Sequence, residues 1–261
     1  MNLILSAALI FGMAIFSALM LRDSGISVIN PEALVIVIGG SICGLIIGFP
    51  FARIRTMICD VFETFRNDYG RDDLIRDLVK LSRTHRRADI RAVEKEIKNL
   101  KNDYLSFGMD LMLNRYRNEE IRYGMGREMS TRIMNYQSGQ NILRTLARLT
   151  PAFGLVGTVM ILIKMFSHLN SVETLAPLMA SALMSTLYGV IVSNLIMLPL
   201  SARLADRAVS AEMIMSMTVE GILAIQRGEH PLRIEERLKG YGTRADQPAQ
   251  RTEKVLAVKG I

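Results

Sequence analysis

The chain has 261 residues and a formal net charge of +7, and half of its residues are apolar. A positive mean hydropathy of +0.25 beside 22% charged residues excludes an ordinary soluble domain, because so many apolar residues must be concentrated in segments. The two cysteines imply no disulfide framework, and both are interpreted as small membrane or core residues.

Four apolar segments are long enough to cross a membrane, since a hydrocarbon core of about 30 Å requires about 20 mostly apolar residues in a helix. They are residues 3–21, 33–51, 151–168 and 177–200. A cleaved signal peptide is the alternative for the first segment, but no basic residue precedes Arg22 to form its n-region. Lys164 lies near the end of the third segment, where its long side chain would reach the interface. We therefore predict four transmembrane helices.

The second apolar segment carries glycines at four-residue spacing, Gly40, Gly44 and Gly48. Small residues on one helical face allow neighbouring helices to approach closely. This spacing predicts close helix packing, although glycine is also commoner in membrane helices generally.

Basic residues are distributed unevenly between the two sides of the predicted spans. Residues 52–148 contain 20 Lys and Arg against 14 Asp and Glu, whereas the connections 22–32 and 167–176 contain one basic residue and none. Because cytoplasmic loops are enriched in Lys and Arg, the insert and both termini are expected on the cytoplasmic side of a bacterial inner membrane. This topology explains the high pI without a nucleic-acid partner, and attraction to anionic membrane lipid is a possible addition.

Outside the spans the sequence has helical periodicity. Three apolar faces are predicted between residues 54 and 149, with breaks near 69–70, 84–87 and 102–103. The first face comprises Leu74, Ile75, Leu78, Val79 and Leu81, the second Ile90, Val93, Ile97 and Leu100, and the third Leu105, Met109, Met112 and Leu113. An amphipathic helix continues the fourth span from 201 to 227, a short helix covers 232–238, and the tail from Gly240 is expected to be disordered. The predicted fold is all-α: membrane helices at 1–51 and 149–200, a helical cytoplasmic domain at 52–148, and a cytoplasmic helix and tail at 201–261.

The spans contain no Asp or Glu, which limits the chemistry available within the membrane. Ionisable residues usually mark proton and ion pathways there, so either this chain moves no ions or a partner supplies the acid. Hydroxyls are present instead: Thr158 in the third span and Ser185, Thr186 and Ser193 in the fourth. They could line an ion path, or they could bond to backbone carbonyls and bridge helices.

Enzyme and metal chemistry have little support in the sequence. The three histidines lack metal-ligand spacing, and no phosphate loop or nucleophile elbow is visible, so we predict neither an enzyme nor a bound cofactor. Pro151 and Pro199 bracket the last two spans and are interpreted either as ordinary helix-starting and kinking residues or as hinges. The charged run from Arg83 to Glu94 is either a solvated face or a docking surface.

The last two spans carry a family resemblance. PAFGLVGTVMILIKMFSHL (151–169) and APLMASALMSTLYGVIVSNLIMLPLSARL (176–204) resemble the third and fourth helices of the flagellar motor stator A subunit, the MotA/PomA family. TolQ and ExbB, which are more distantly similar, have one helix before their cytoplasmic loop, whereas this chain has two. PEALVIVIGGSICGLIIGFP (31–50) and GEHPLRIEERLKGY (228–241) resemble the stator family's second helix and C-terminal helix.

The resemblance implies partners and residue roles. A homo-oligomeric ring, expected to be a pentamer, would surround a MotB-like B subunit whose membrane aspartate binds the ion. HRRADIRAVEKE (85–96) resembles the segment that contacts the rotor protein FliG. The implied residues are Arg86, Arg87 and Glu94 for rotor contact, Pro151 and Pro199 for conformational coupling, and Thr158, Thr186 and Ser185 for the ion channel.

The predicted function is therefore an ion-conducting stator subunit that converts ion flow into torque on the flagellar rotor. Ser185 leaves the transported ion open between H⁺ and Na⁺, with H⁺ preferred. The alternatives are a related ion-driven transducer with a TolQ/ExbB-like, non-flagellar output and a structural scaffold without ion flow.

Overall fold

The computed structural model describes residues 30–65, 69–87, 90–167 and 172–245. The first predicted span, 3–21, lies outside these residues. The described part is entirely helical, with two π-helical segments. Its helices are α1 Pro31–Gly48, α2 Phe51–Glu63, α3 Arg71–Arg86, α4 Ile90–Lys98, α5 Asp103–Leu113, α6 Asn118–Phe166, α7 Val172–Ile191, α8 Leu198–Gln226 and α9 Pro231–Ala245.

Three helical stretches in the described residues are long and apolar enough to cross a membrane. They are Pro31–Gly48, Asn118–Phe166 and Leu175–Gln226, and they contain most of the second, third and fourth predicted spans. The last stretch runs from α7 through a π-helical segment, Val192–Met197, into α8. The all-helical prediction is thus confirmed for the described residues, with three candidate spans among them.

Local sequence explains where several helices begin. The Asn30 side chain caps α1 by accepting the Ala33 N–H at 3.2 Å, and Pro31 occupies the first turn, where its missing N–H costs nothing. Asn102 caps α5 by accepting the backbone N–H of Tyr104 at 3.0 Å and of Leu105 at 3.1 Å. The predicted break near 102–103 is this cap.

The chain forms two compact units. The first comprises the described residues up to 65 together with 135–206, and the second comprises 69–134 and the described residues from 207 onward. In the second unit the first predicted apolar face is buried, as are Val93 and Ile97 of the second face and Leu105, Met109 and Met112 of the third. Its core includes Leu74, Leu78, Val93, Ile97, Leu105, Met109, Met125, Met217 and Ile222.

In the first unit α1 packs against α6 at two of the three spaced glycines. A Cβ at Gly40 would overlap the ring of Phe153, and one at Gly44 would lie 3.0 Å from Leu149 Cδ1. Gly48 has no such neighbour within 4 Å in the described structure. The predicted close packing is therefore confirmed at Gly40 and Gly44 and is absent at Gly48.

The C-terminal helix is longer than predicted. It continues to Ala245, so the expected disorder from Gly240 is wrong for the first residues of the tail. Arg237 contributes to its attachment through ion pairs with Glu220 at 3.2 Å and Glu229 at 3.0 Å. These contacts, together with packing against α3, stabilise the part of the helix that directly precedes the tail.

Candidate ion path and docking face

The two predicted channel threonines are in direct contact. Thr158 on α6 and Thr186 on α7 have their hydroxyl oxygens 2.6 Å apart. The Thr158 hydroxyl also lies 3.1 Å from the Gly154 carbonyl of its own helix and 3.0 Å from the Ala182 carbonyl of α7. Thr158 therefore makes the local bond of a packing residue and also joins an interhelical polar cluster.

Ser185 belongs to the same cluster. Its hydroxyl donates to the Gly154 carbonyl at 3.1 Å, and the residue is fully buried. All three predicted channel residues thus meet at one level of the α6–α7 contact. Buried hydroxyls that already bond to carbonyls add oxygen atoms to an apolar region without adding charge.

Glycines allow the two helices to approach closely at this level. A Cβ at Gly154 would lie 3.0 Å from the Ser185 backbone oxygen, and one at Gly189 would lie 2.6 Å from the Thr150 backbone oxygen. The neighbours are backbone atoms, which cannot rotate away as side chains can. The hydroxyl contacts therefore depend on the absence of side chains at these positions.

The two prolines lie in different local environments. Pro151 is inside α6, where it removes the backbone donor for the carbonyl of Ala147. The Ser193 hydroxyl donates to that carbonyl at 2.6 Å. Pro199 is the second residue of α8 and follows the π-helical segment Val192–Met197. Ser193 was visible in the sequence as a polar residue, but its partner depends on the register between two helices.

Lys164 forms an ion pair that the sequence did not predict. Its Nζ lies 3.0 Å from both carboxylate oxygens of Glu32 at the start of α1. Both side chains are about half exposed. The amine at the end of the third span is therefore paired with the carboxylate at the entry to the second.

A further polar contact joins α1 and α7. The Asn30 side-chain amide donates to the Ser181 hydroxyl at 2.5 Å, and the Asn30 backbone N–H donates to the Tyr188 hydroxyl at 3.0 Å. Neither contact was predicted from the sequence. The only available signal was the position of Asn30 before a proline, which indicates a helix cap and not an interhelical bond.

The predicted docking residues lie in the second unit. Arg86 ends α3 and Arg87 follows it, while Glu94 is on α4, and all three are exposed. Glu96 joins the two helices through Lys80 Nζ at 3.4 Å and the Thr84 hydroxyl at 3.2 Å. The exposed charges of Arg86, Arg87 and Glu94 therefore lie on or beside two helices, α3 and α4, that Glu96 links by an ion pair and a hydrogen bond.

No group of three or more His, Cys, Asp or Glu side chains suited to a metal ion occurs in the described residues. The oxygen atoms at the α6–α7 contact are hydroxyls and carbonyls. Such a donor set can replace water around a passing cation but supplies no acid that exchanges a proton near neutral pH.

A family model, several relatives and a solved structure all resemble this chain. Residues 96–217 match the MotA/TolQ/ExbB proton channel family. The uncharacterized protein YtxD of Bacillus subtilis is 29% identical over 219 residues, which cover 82% of this chain and 80% of YtxD. Motility protein A of Borreliella burgdorferi is 30% identical over 182 residues, or 70% of each chain. A chain of the flagellar MotAB stator complex from Bacillus subtilis has 25% identity and a TM-score of 0.75, over 97% of this chain and 96% of that one.

Proposed function

Since the chain belongs to the MotA/TolQ/ExbB proton channel family, we propose that it is the ion-conducting stator A subunit of a bacterial flagellar motor. The observation that carries the proposal is the Thr158–Thr186 hydroxyl contact within spans that contain no carboxylate. Membership of a channel family confirms the prediction that the chain is not an enzyme, and the chain is a multi-pass membrane protein.

The proposed complex needs a second kind of subunit. Because the spans lack Asp and Glu, a membrane carboxylate must come from a MotB-like B subunit, and the similarity to a chain of a MotAB stator complex supports that partner. Copies of this chain would form a homo-oligomeric ring, a pentamer, around the B subunit. No nucleic acid is involved.

The proposed orientation follows the charge asymmetry. Residues 52–148 and 201–261 lie in the cytoplasm, and residues 1–51 and 149–200 lie in the inner membrane. The N terminus and C terminus are both cytoplasmic, which requires four spans in total. The exposed basic residues near the membrane face its anionic lipid.

The proposed ion path passes the hydroxyl cluster. A cation that loses water in a narrow passage needs oxygen atoms in its place, and Thr186, Thr158 and Ser185 provide them beside the partner's carboxylate. The transported ion is H⁺, with Na⁺ as the alternative.

Substitution of Thr186 tests the ion path. Thr186→Ala removes one hydroxyl from the cluster, and an interhelical hydrogen bond in a membrane is worth only about 1 kcal/mol, so the complex should assemble. We expect ion flux in proteoliposomes with the B subunit to fall about tenfold, which corresponds to about 1.4 kcal/mol on the barrier. Flux is measured at fixed pH with varied Na⁺, and dependence on Na⁺ identifies sodium as the ion.

The controls separate the hydroxyl from general effects. Thr186→Ser retains the hydroxyl and should retain flux. Thr145→Ala removes a hydroxyl that, within the described part of the chain, bonds to its own helix, at 2.9 Å from the Asn141 backbone oxygen, and it should leave ion flux unchanged. Unchanged flux and ion dependence in Thr186→Ala would return Thr186 to a packing role.

The rotor-contact proposal concerns Arg86, Arg87 and Glu94, which would dock onto a FliG-like protein by charge complementarity. Arg87→Glu should impair stator recruitment and motility while the protein inserts normally, because exposed substitutions rarely cost much stability. A compensating reversal on the rotor should restore part of the function. Arg122→Glu is the control because it reverses another exposed charge of the same unit, and cells that carry it should swim normally.

The alternative function is an ion-driven transducer with a non-flagellar output, and the similarity to the uncharacterized YtxD keeps this function as a candidate. Both functions require ion flux, so only motility separates them. Deleting the gene and measuring torque on tethered cells decides the matter: lost torque supports the flagellar stator, and normal torque with active flux in the purified complex supports the alternative. Pro151 and Pro199 would transmit conformational change in either case.

A further inference from the structure

The carbonyl of Ala147 has lost its usual helical donor. In an α-helix the N–H of residue i donates to the carbonyl of residue i−4, and the residue four positions after Ala147 is Pro151, which has no N–H. Ala147 is only 6% exposed. A buried carbonyl without a donor is costly, so another group must compensate.

Ser193 provides that compensation from the next helical stretch. Its hydroxyl donates to the Ala147 carbonyl at 2.6 Å, and the residue is 4% exposed. The close approach of Gly189 to the backbone of Thr150, one turn away, brings the two helices near enough for this bond. The bond therefore joins α6 at its proline to the neighbouring helix.

The position of Ser193 gives the bond a second property. Ser193 lies in the π-helical segment Val192–Met197, which ends two residues before Pro199. One hydrogen bond thus links α6 at its proline with the π-helical segment that precedes the second proline. Relative movement of these two segments would stretch this bond.

We propose that Ser193 is a positioning residue of α6 at Pro151: its hydroxyl replaces the missing backbone donor and couples this part of α6 to the π-helical segment before Pro199. The effect on ion flow rests on the proposed function, whereas the hydrogen-bond compensation does not. Ser193 touches no ion in this role. It sets the relative position of the helices that carry the hydroxyl cluster.

A second buried serine provides a matched control. The Ser41 hydroxyl donates to the Val37 carbonyl, also at 2.6 Å, and Ser41 is 3% exposed. The Val37 carbonyl additionally accepts the backbone N–H of Gly40. Removing the Ser41 hydroxyl therefore leaves its carbonyl partner satisfied, whereas removing the Ser193 hydroxyl does not.

A double-mutant cycle tests the proposal in the complex with the B subunit. Ser193→Ala leaves the Ala147 carbonyl buried and unpaired, so the Tm of the complex should fall by about 3 °C or more, and Ser41→Ala should change it much less. In a Pro151→Ala background the N–H of residue 151 is restored, and Ser193→Ala should then cause little further loss. Ser193→Thr retains a hydroxyl, so its Tm should stay closer to that of the wild type than the Tm of Ser193→Ala.

Ion flux provides the second measurement. Ser193→Ala should reduce flux several-fold more than Ser41→Ala at equal assembly. The Pro151→Ala background is compared by Tm and assembly alone, because Pro151 has its own proposed role in ion-driven conformational change. If Ser193→Ala prevents assembly altogether, recovery of assembly in the double variant supports the proposal, and failure to recover overturns it. Equal losses of Tm with and without Pro151 would overturn it as well. A wild-type complex that conducts no ions would refute the proposed function, while the Tm cycle would still decide the role of Ser193.

Discussion

The helices inside the first unit and those inside the second unit are stabilised by different kinds of contact. In the first unit, α6 and α7 meet through Gly154, Gly189 and hydroxyls that bond to carbonyls. In the second unit, the core consists of leucine, isoleucine and methionine side chains, and the charged residues lie on its surface. The first unit thus relies on close backbone approach at a point where the second relies on large apolar side chains.

The physical reason is the absence of a hydrophobic driving force between helices in lipid. Lipid chains are as apolar as leucine, so helices in a membrane associate through close packing and polar bonds. In water, burial of apolar area supplies about 25 cal/mol per Å², and large side chains are the most effective. Glycine and serine in the first unit therefore have the structural role that leucine and methionine have in the second.

Substitution of Gly189 by alanine should have the largest effect, because it tests whether the first unit depends on close approach of two helix backbones. In Gly189→Ala the new Cβ would lie 2.6 Å from the Thr150 backbone oxygen and 3.1 Å from the Pro151 Cα, and neither atom can rotate away. We expect a loss of about 3 kcal/mol or more and failure of assembly, measured by size-exclusion chromatography of the complex. Gly39→Ala is the control, because its Cβ has no neighbour within 4 Å in the described structure, and it should assemble normally.

Sequence predicted the features that depend on short stretches of chain. Hydropathy located the three candidate spans that lie within the described residues, and apolar periodicity located the buried face that includes Leu74 and Leu78, because each is a local property of the helix. The contact between Thr158 and Thr186 could be anticipated only from the family resemblance. The Ser193–Ala147 bond was not predicted, since it depends on the register of residues 46 positions apart.

In the second unit we expect the largest loss of stability from removing buried side-chain volume, whereas in the first unit we expect it from adding a methyl group against the backbone. Leu78 is fully buried, and Leu78→Ala should lower the free energy of unfolding by about 3 kcal/mol, measured by denaturation of the purified complex followed by circular dichroism.

Gly221 offers an internal check on that result. Its Cβ would lie 2.5 Å from Leu78 Cδ1, a side-chain atom. Gly221→Ala should therefore destabilise the wild type but partly restore stability in Leu78→Ala, where the space is empty. Additive losses in the double variant would contradict the packing explanation.

The third prediction concerns the part of the first unit that lies beyond the predicted second span. Here α2 packs in the manner of a water-soluble protein, with Ile54 and Met57 buried against Leu143 and Leu204. Asp60 lies on this helix, and its Oδ2 is buried without a hydrogen-bond partner in the described residues. Burial, with a smaller contribution from the nearby Glu63 carboxylate, raises the pKa of Asp60 from 3.8 to about 6.

This pKa has a definite consequence for stability. The raised value means that the folded state holds its proton longer than the unfolded state, so stability falls as the pH rises from about 4 to about 6 and is constant above that interval. Asp60→Asn removes the titration. Relative to the wild type, it should gain about 1 kcal/mol between pH 4 and pH 7.5, less than full linkage would give, because Asp60 is only partly buried and solvent screens its carboxylate. The Tm of both proteins across this range checks the effect. Glu63→Gln should reproduce only a small part of this pH-dependent gain in Tm, because burial contributes more to the raised pKa than Glu63 does. A Tm difference between Asp60→Asn and wild type that is the same at every pH would exclude Asp60 as the titrating group.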